Sequence, residues 1–141
     1  MRRVICALLL VAGACGGSDS VAVRDAWVRA LPGSAPATAV YMTLVNGTDT
    51  EDHLVAVESS ACGSLELHET TMSSDGTMSM HQIGREGIPM PPGRAVVLES
   101  GGIHVMCLEP SVPLTAGTTI AVTLRFDLAE PVSLEIPVEA R

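Results

Sequence analysis

The 141-residue chain contains no Lys. Its eight cations are all Arg, set against sixteen acids, for a formal charge of −8. A surface this acidic argues against nucleic acid or anionic lipid headgroups as the main partner. Aromatics are almost missing: Trp27, Tyr41 and Phe126 are the whole set. The core must therefore be aliphatic, and these three are expected in core or edge packing rather than as a substrate platform. No stretch shows sustained helical periodicity with caps. Neither a Gly-x-Ser-x-Gly nucleophile motif nor a phosphate-binding Gly loop is present. An enzyme is accordingly not expected.

Long apolar runs are scarce as well. The one from Val4 to Val11 is too short to cross a bilayer. With Arg2 and Arg3 before it and Ala12-Gly13-Ala14 after it, residues 1–14 read as an export signal. Cys15 follows at once, the pattern of a bacterial lipoprotein signal in which that Cys is lipidated, although Ala12 sits where Leu is usual. Residues 15–20 then form the lipidated Cys and a flexible Gly-Gly-Ser tether, and residues 21–141 a single globular domain. After the cut, sixteen acids face six Arg, a net charge of −10.

The loss of Cys6 and the use of Cys15 for lipid leave Cys62 and Cys107 in the domain. In an oxidising compartment such a pair most often forms a disulfide, and closing this loop is worth about 4 kcal/mol in the chain-entropy model. The competing reading makes Cys107 a thiolate metal ligand. Strand parity opposes it, since Cys107 falls on the face opposite its neighbour Met106.

Past the tether, β-rich runs alternate with turn residues. Strands are expected near 21–29, 37–46, 53–57, 65–71, 78–82, 94–98, 104–108, 118–126 and 132–138, with turns such as Asp75-Gly76 and Ser100-Gly101-Gly102 between them. Short, regularly spaced strands imply an antiparallel β-sandwich or barrel.

One segment, from His68 to Met106, carries the chemistry. Residues two apart on a strand share a face, so His68 lies with Met72, Met78 with Met80, and His104 with Met106. The Asp75-Gly76 turn folds the first two runs into a hairpin that carries Met80 towards His68. Two imidazoles and two thioethers make a soft, neutral donor set suited to Cu(I). A lone strand Met is usually core filler. Glu66 and Thr70, however, share the face of His68, whereas Leu65 and Leu67 take the other, which marks the His68 face as the wetter one. His53, His81, Glu66 and Glu69 read as solvated surface residues.

The stretches DAWVRALPGSAPATAVYMTLVN (Asp25 to Asn46), LELHETTM (Leu65 to Met72), MSM (Met78 to Met80), IPMPPG (Ile88 to Gly93) and GGIHVM (Gly101 to Met106) resemble the PCu(A)C family of extracytoplasmic copper chaperones. That resemblance covers nearly the whole chain after the tether. It implies a cupredoxin-like antiparallel β-sandwich of Greek-key type, with Cu(I) ligands at His68, Met80, His104 and Met106. Eleven residues separate His68 from Met80 and twenty-three separate Met80 from His104, one and two more than the family's usual spacing. Met78 therefore competes with Met80 for the ligand position, and Met72 and Met90 stand as auxiliary sulfurs.

The resemblance also implies delivery of Cu(I) to a copper-accepting protein, the cytochrome c oxidase copper subunit or another copper carrier. The protein is expected to be a monomer, held on the extracytoplasmic side of the cell membrane by its lipid. Two other classes stay open: an electron-transfer cupredoxin, which needs a Cys thiolate on copper, and a metal-free structural lipoprotein.

Overall fold

Turn residues cut the described residues into ten strands. A computed structural model describes residues 20–141; the export signal, Cys15 and all but the last residue of the tether lie outside the described residues. The strands are β1 (Val21–Arg29), β2 (Ala37–Asn46), β3 (Asp52–Glu58), β4 (Cys62–Met72), β5 (Met78–Gln82), β6 (Ile88–Met90), β7 (Ala95–Leu98), β8 (Ile103–Pro110), β9 (Thr119–Phe126) and β10 (Val132–Glu139). Nine of them fall where the sequence pattern expects them. The tenth, β6, is three residues long and centred on Pro89, which cannot donate to a ladder and is tolerated here at the outer end of the strand order.

Alternation decides which faces are buried. In β9, Ile120, Val122, Leu124 and Phe126 point inward while Thr119, Ala121 and Arg125 are exposed. β2 lies near the centre of the strand order and is buried along most of its length, which fits its near-continuous apolar run. The order is β5-β4-β8-β2-β1-β10-β9-β3-β6, with β7 also paired to β2. All pairings are antiparallel except β1 with β10, a short parallel junction at Val28↔Val138 and Arg29↔Glu139. The strands on either side of this junction form the two layers of a sandwich. Val28, Val40, Leu44 and Val105 of one layer share a single aliphatic core with Leu54, Val122, Leu124 and Ile136 of the other. Cys62 at the start of β4 is bridged to Cys107 on β8, and Cys107 is completely buried in that core.

An extra residue in β1 between Arg24 and Trp27 makes a bulge, with Asp25 at φ 50°. Beyond it Trp27 pairs with Tyr41, their rings 4.8 Å apart. The Arg29 guanidinium lies 5.3 Å from the Tyr41 ring centre, a cation–π contact. These aromatics pack along the β1–β2 ladder, and Phe126 is buried in the core.

A polar knot closes the end of the sandwich where β1 begins. The Asn46 side-chain amide donates to the carbonyls of Thr50 and Met90, both at 2.8 Å, and its oxygen accepts from the Thr48 amide and hydroxyl. Asp52 accepts from the amides of His53, Leu128 and Ala129 at 2.7–2.9 Å. Burial works against the charge of Asp52. The Ala129, Leu128 and His53 amides, with a smaller contribution from Asp127, outweigh it and hold the carboxyl below its ordinary range.

Candidate metal centre

Strand register assembles the site. On β4 and β8, His68 stands opposite His104 and Glu66 opposite Met106; on β4 and β5, Thr70 stands opposite Met80 and Met72 opposite Met78. Directly opposed residues of an antiparallel pair share a face. His68, His104, Met106, Met80, Met78 and Met72 therefore all project to one side of the sheet, away from the core. Met90 does not join them. It is fully buried in β6, at the far end of the strand order from β5, and serves as core packing rather than as an auxiliary sulfur. Its apolar neighbours Ile88 and Leu54 explain why.

Each imidazole is held by one nitrogen. His104 is only 4% exposed, and its Nδ1 lies 3.0 Å from the Gly102 carbonyl oxygen. A carbonyl can only accept, so Nδ1 carries the proton and the Nε2 lone pair is free in the neutral ring. The backbone around that carbonyl has a clear origin. β7 and β8 pair in succession with the same flank of β2, and residues 99–102 between them loop out of the ladder. Gly101 takes φ 82° to make the turn, and Gly102 offers its oxygen to both His104 and the Thr70 amide, each at 3.0 Å.

His68 is the mirror case. Its Nε2 donates to Glu66 Oε2 at 2.9 Å, which leaves the Nδ1 lone pair unprotonated in the neutral ring. That Nδ1 is buried and, alone among the buried side-chain nitrogens and oxygens of the described residues, has no hydrogen-bond partner. Buried polar atoms are normally satisfied, so one left bare asks for a ligand. The two rings sit 6.1 Å apart, centre to centre. Beside them is an open cavity of about 310 Å³, lined by Met80, His104 and Met106 together with Arg29, Tyr41 and Gly101 among others. Cavities of about 390 and 470 Å³ elsewhere gather no His, Met or Cys, so size does not locate this chemistry.

Among the described residues no three His, Cys, Asp or Glu side chains converge as a metal cluster; the donors that share a face here are imidazoles and thioethers. With Cys107 in the disulfide, no thiolate joins them. His53 is half-buried on β3 near Glu51, and His81 is exposed opposite Glu69, on the other face of β5 from Met80. Sequence reasoning missed the role of Glu66, which holds His68 rather than standing free in solvent. Its position two residues before His68 carries the signal, because that spacing puts both on one face. The role of the Gly102 carbonyl has no side-chain signal at all.

The profile of a protein family described as putative lipoprotein LpqE-like matches residues 21–138. The putative lipoprotein Lxx21020 of Leifsonia xyli subsp. xyli is 34% identical over 122 residues, which span 86% of this chain and 71% of that protein. Among solved structures, the copper-bound PCuAC domain from PmoF2 superposes with a TM-score of 0.71 at 25% identity, covering 86% of this chain and 94% of the domain. The Cu(I) form of DR1885 from Deinococcus radiodurans does so with a TM-score of 0.68 at 28% identity, covering 92% of this chain and 84% of that one. The cupredoxin-like sandwich of PCuAC domains is thus the fold of this chain, and the chain belongs to the LpqE-like family.

Proposed function

We propose that this protein is a copper chaperone that binds Cu(I) outside the cytoplasm and passes it to a copper-accepting protein. The observation that carries the reading is the bare, buried Nδ1 of His68 beside His104, in a fold shared with copper-bound PCuAC domains. His68 offers Nδ1 and His104 offers Nε2, each fixed by a hydrogen bond at its other nitrogen, an arrangement that commonly orients metal-bound imidazoles. Met106 and Met80 supply neutral sulfurs that suit Cu(I) and, unlike thiolates, form no disulfides under oxidising conditions. Met106 is half-buried and Met80 is 52% exposed, so the metal is fixed on its inner side and open to ligand exchange on the outer one. Exchange of neutral donors at that open side hands Cu(I) over without a redox step. Copper is cargo in this reading, and the protein is not an enzyme.

The recipient is the copper subunit of cytochrome c oxidase or another copper carrier, as the family resemblance implies. Membrane attachment through lipidated Cys15, on the extracytoplasmic side, is supported by the lipoprotein naming of the family and of the Leifsonia relative. An anaerobic Cu(I) competition titration tests the site. His104→Leu and Met106→Leu are expected to weaken binding at least about tenfold, or 1.4 kcal/mol, while His53→Ala and His81→Ala leave it unchanged. Equal losses at all four positions would refute the ligand assignment, and no Cu(I) binding by the parent would favour a metal-free lipoprotein.

A further inference from the structure

Three of the six large hydrophobic residues that stand exposed among the described residues are methionines of one hairpin: Met72, Met78 and Met80. Met72 and Met78 are directly opposed at its tip, with Cβ atoms about 5 Å apart by the geometry of such pairs. One rung inward are Thr70 and Met80, and one rung further are His68 and Gln82, with His68 opposite His104. Rungs on one face are about 7 Å apart, so sulfur donors descend from open solvent to the imidazole pair without a gap that a flexible Met side chain cannot bridge. The tip itself is well tied. Ser73 donates to the Thr77 carbonyl at 2.8 Å, Gly76 at φ 85° donates to the Ser73 carbonyl at 2.9 Å, and the Thr77 amide donates to Asp75.

We propose that Met72 and Met78 form a second, outer Cu(I) site that loads the inner one through Met80. This rests on the Cu(I) reading of the inner site. A general docking patch would be served equally well by Leu, Ile or Val, yet all three exposed side chains are thioethers, and they are continuous with the inner donors. Two neutral sulfurs hold Cu(I) more weakly than two sulfurs and two imidazoles, so the metal runs inward. The transfer is a ligand exchange: Cu–S bonds to Met72 and Met78 break as bonds to Met80 and then to the imidazoles form. Copper stays Cu(I), and no proton moves.

The test uses the full chain, labelled with ¹³C at the Met methyl groups, titrated anaerobically with Cu(I). The first equivalent is expected to shift the Met80 and Met106 methyl signals and the second those of Met72 and Met78. A double variant, Met72→Leu with Met78→Leu, should keep the first equivalent with its affinity within about threefold, lose the second, and take Cu(I) from a chelator about fivefold more slowly. His104→Leu should lose the first equivalent and keep the second, which separates failure of the inner site from failure of the outer one. Met72 and Met78 signals unmoved at two equivalents would overturn the proposal. So would loss of the first equivalent in the double variant, which would make Met78 an inner ligand, or unchanged uptake by that variant, which would leave the hairpin tip as a docking patch for a protein.

Discussion

The sandwich buries polar groups in two places, and treats them in opposite ways. At the knot, Asn46 and Asp52 are almost sealed from water and their side-chain oxygens and the Asn46 amide nitrogen all have hydrogen-bond partners. On the β4–β8 face, His104 is buried and His68 partly so, but each ring is held by one nitrogen and the second, buried nitrogen of His68 has no partner. A satisfied buried network holds a fold together, whereas an unsatisfied one weakens it and persists where something else completes it. The difference separates structural polarity from functional polarity without any reference to copper.

Mutations at the two places should therefore have opposite profiles. Asn46→Leu strips partners from the Thr50 and Met90 carbonyls and is expected to lower stability by about 3 kcal/mol while changing Cu(I) affinity less than twofold. His68→Leu removes the bare nitrogen and should leave the stability of the copper-free protein within about 1 kcal/mol of the parent, yet weaken Cu(I) binding at least tenfold. Urea unfolding and a Cu(I) competition titration on both variants decide the matter. A His68→Leu protein that unfolds easily, or an Asn46→Leu protein that loses copper, would erase the contrast.

A smaller effect sharpens it. Glu66 touches His68 but is not placed as a ligand, so Glu66→Ala should weaken Cu(I) binding by less than His68→Leu does, about threefold to tenfold. Glu66→Gln retains an oxygen that can accept from Nε2 and should restore most of the loss. If the Gln variant is as poor as the Ala variant, the charge of Glu66, and not its hydrogen bond, is what matters.

The smallest effect lies at the knot and appears only in acid. Asp52 has its carboxyl depressed in the folded protein below the ordinary 3.8. A group lowered in this way contributes stability that is fully present above its unfolded value and is lost as pH falls through the folded one. The stability gap between parent and Asp52→Asn is expected to be constant from pH 7 to 5 and to shrink below about pH 4. Urea midpoints at pH 7, 5, 4 and 3 would show this; a gap that widens in acid would contradict the assignment.

Local chemistry made most of the architecture legible. Gly, Pro, Asn and Asp placed the turns, and period-two alternation placed nine strands. β6 stayed hidden because Pro89 and a length of three residues erase the signal, and the parallel contact of β1 with β10 is a long-range event that neither strand announces. The pairing of His68 with Met72, of Met78 with Met80 and of His104 with Met106 on one face each could be read from parity, because parity depends only on local strand geometry. The β4–β8 register that brings them together is long-range. The misplacement of Met90 has a different source: proximity in sequence to a Met-rich segment says nothing about which layer a strand joins. Asn46 and Asp52 went unremarked for a related reason, since their partners at Met90, Leu128 and Ala129 are distant along the chain.

Strand β1 has a mechanical consequence. It starts at Val21, paired with Asn46 beside the knot, and ends at Arg29, which lines the cavity of the metal centre. The eight steps between its nine residues, at about 3.3 Å each, make a strut of some 26 Å between those points. A pull or anchorage applied at residue 20 therefore bears on the pole opposite Met80, His104 and Met106, which stand at the free tip of the lever.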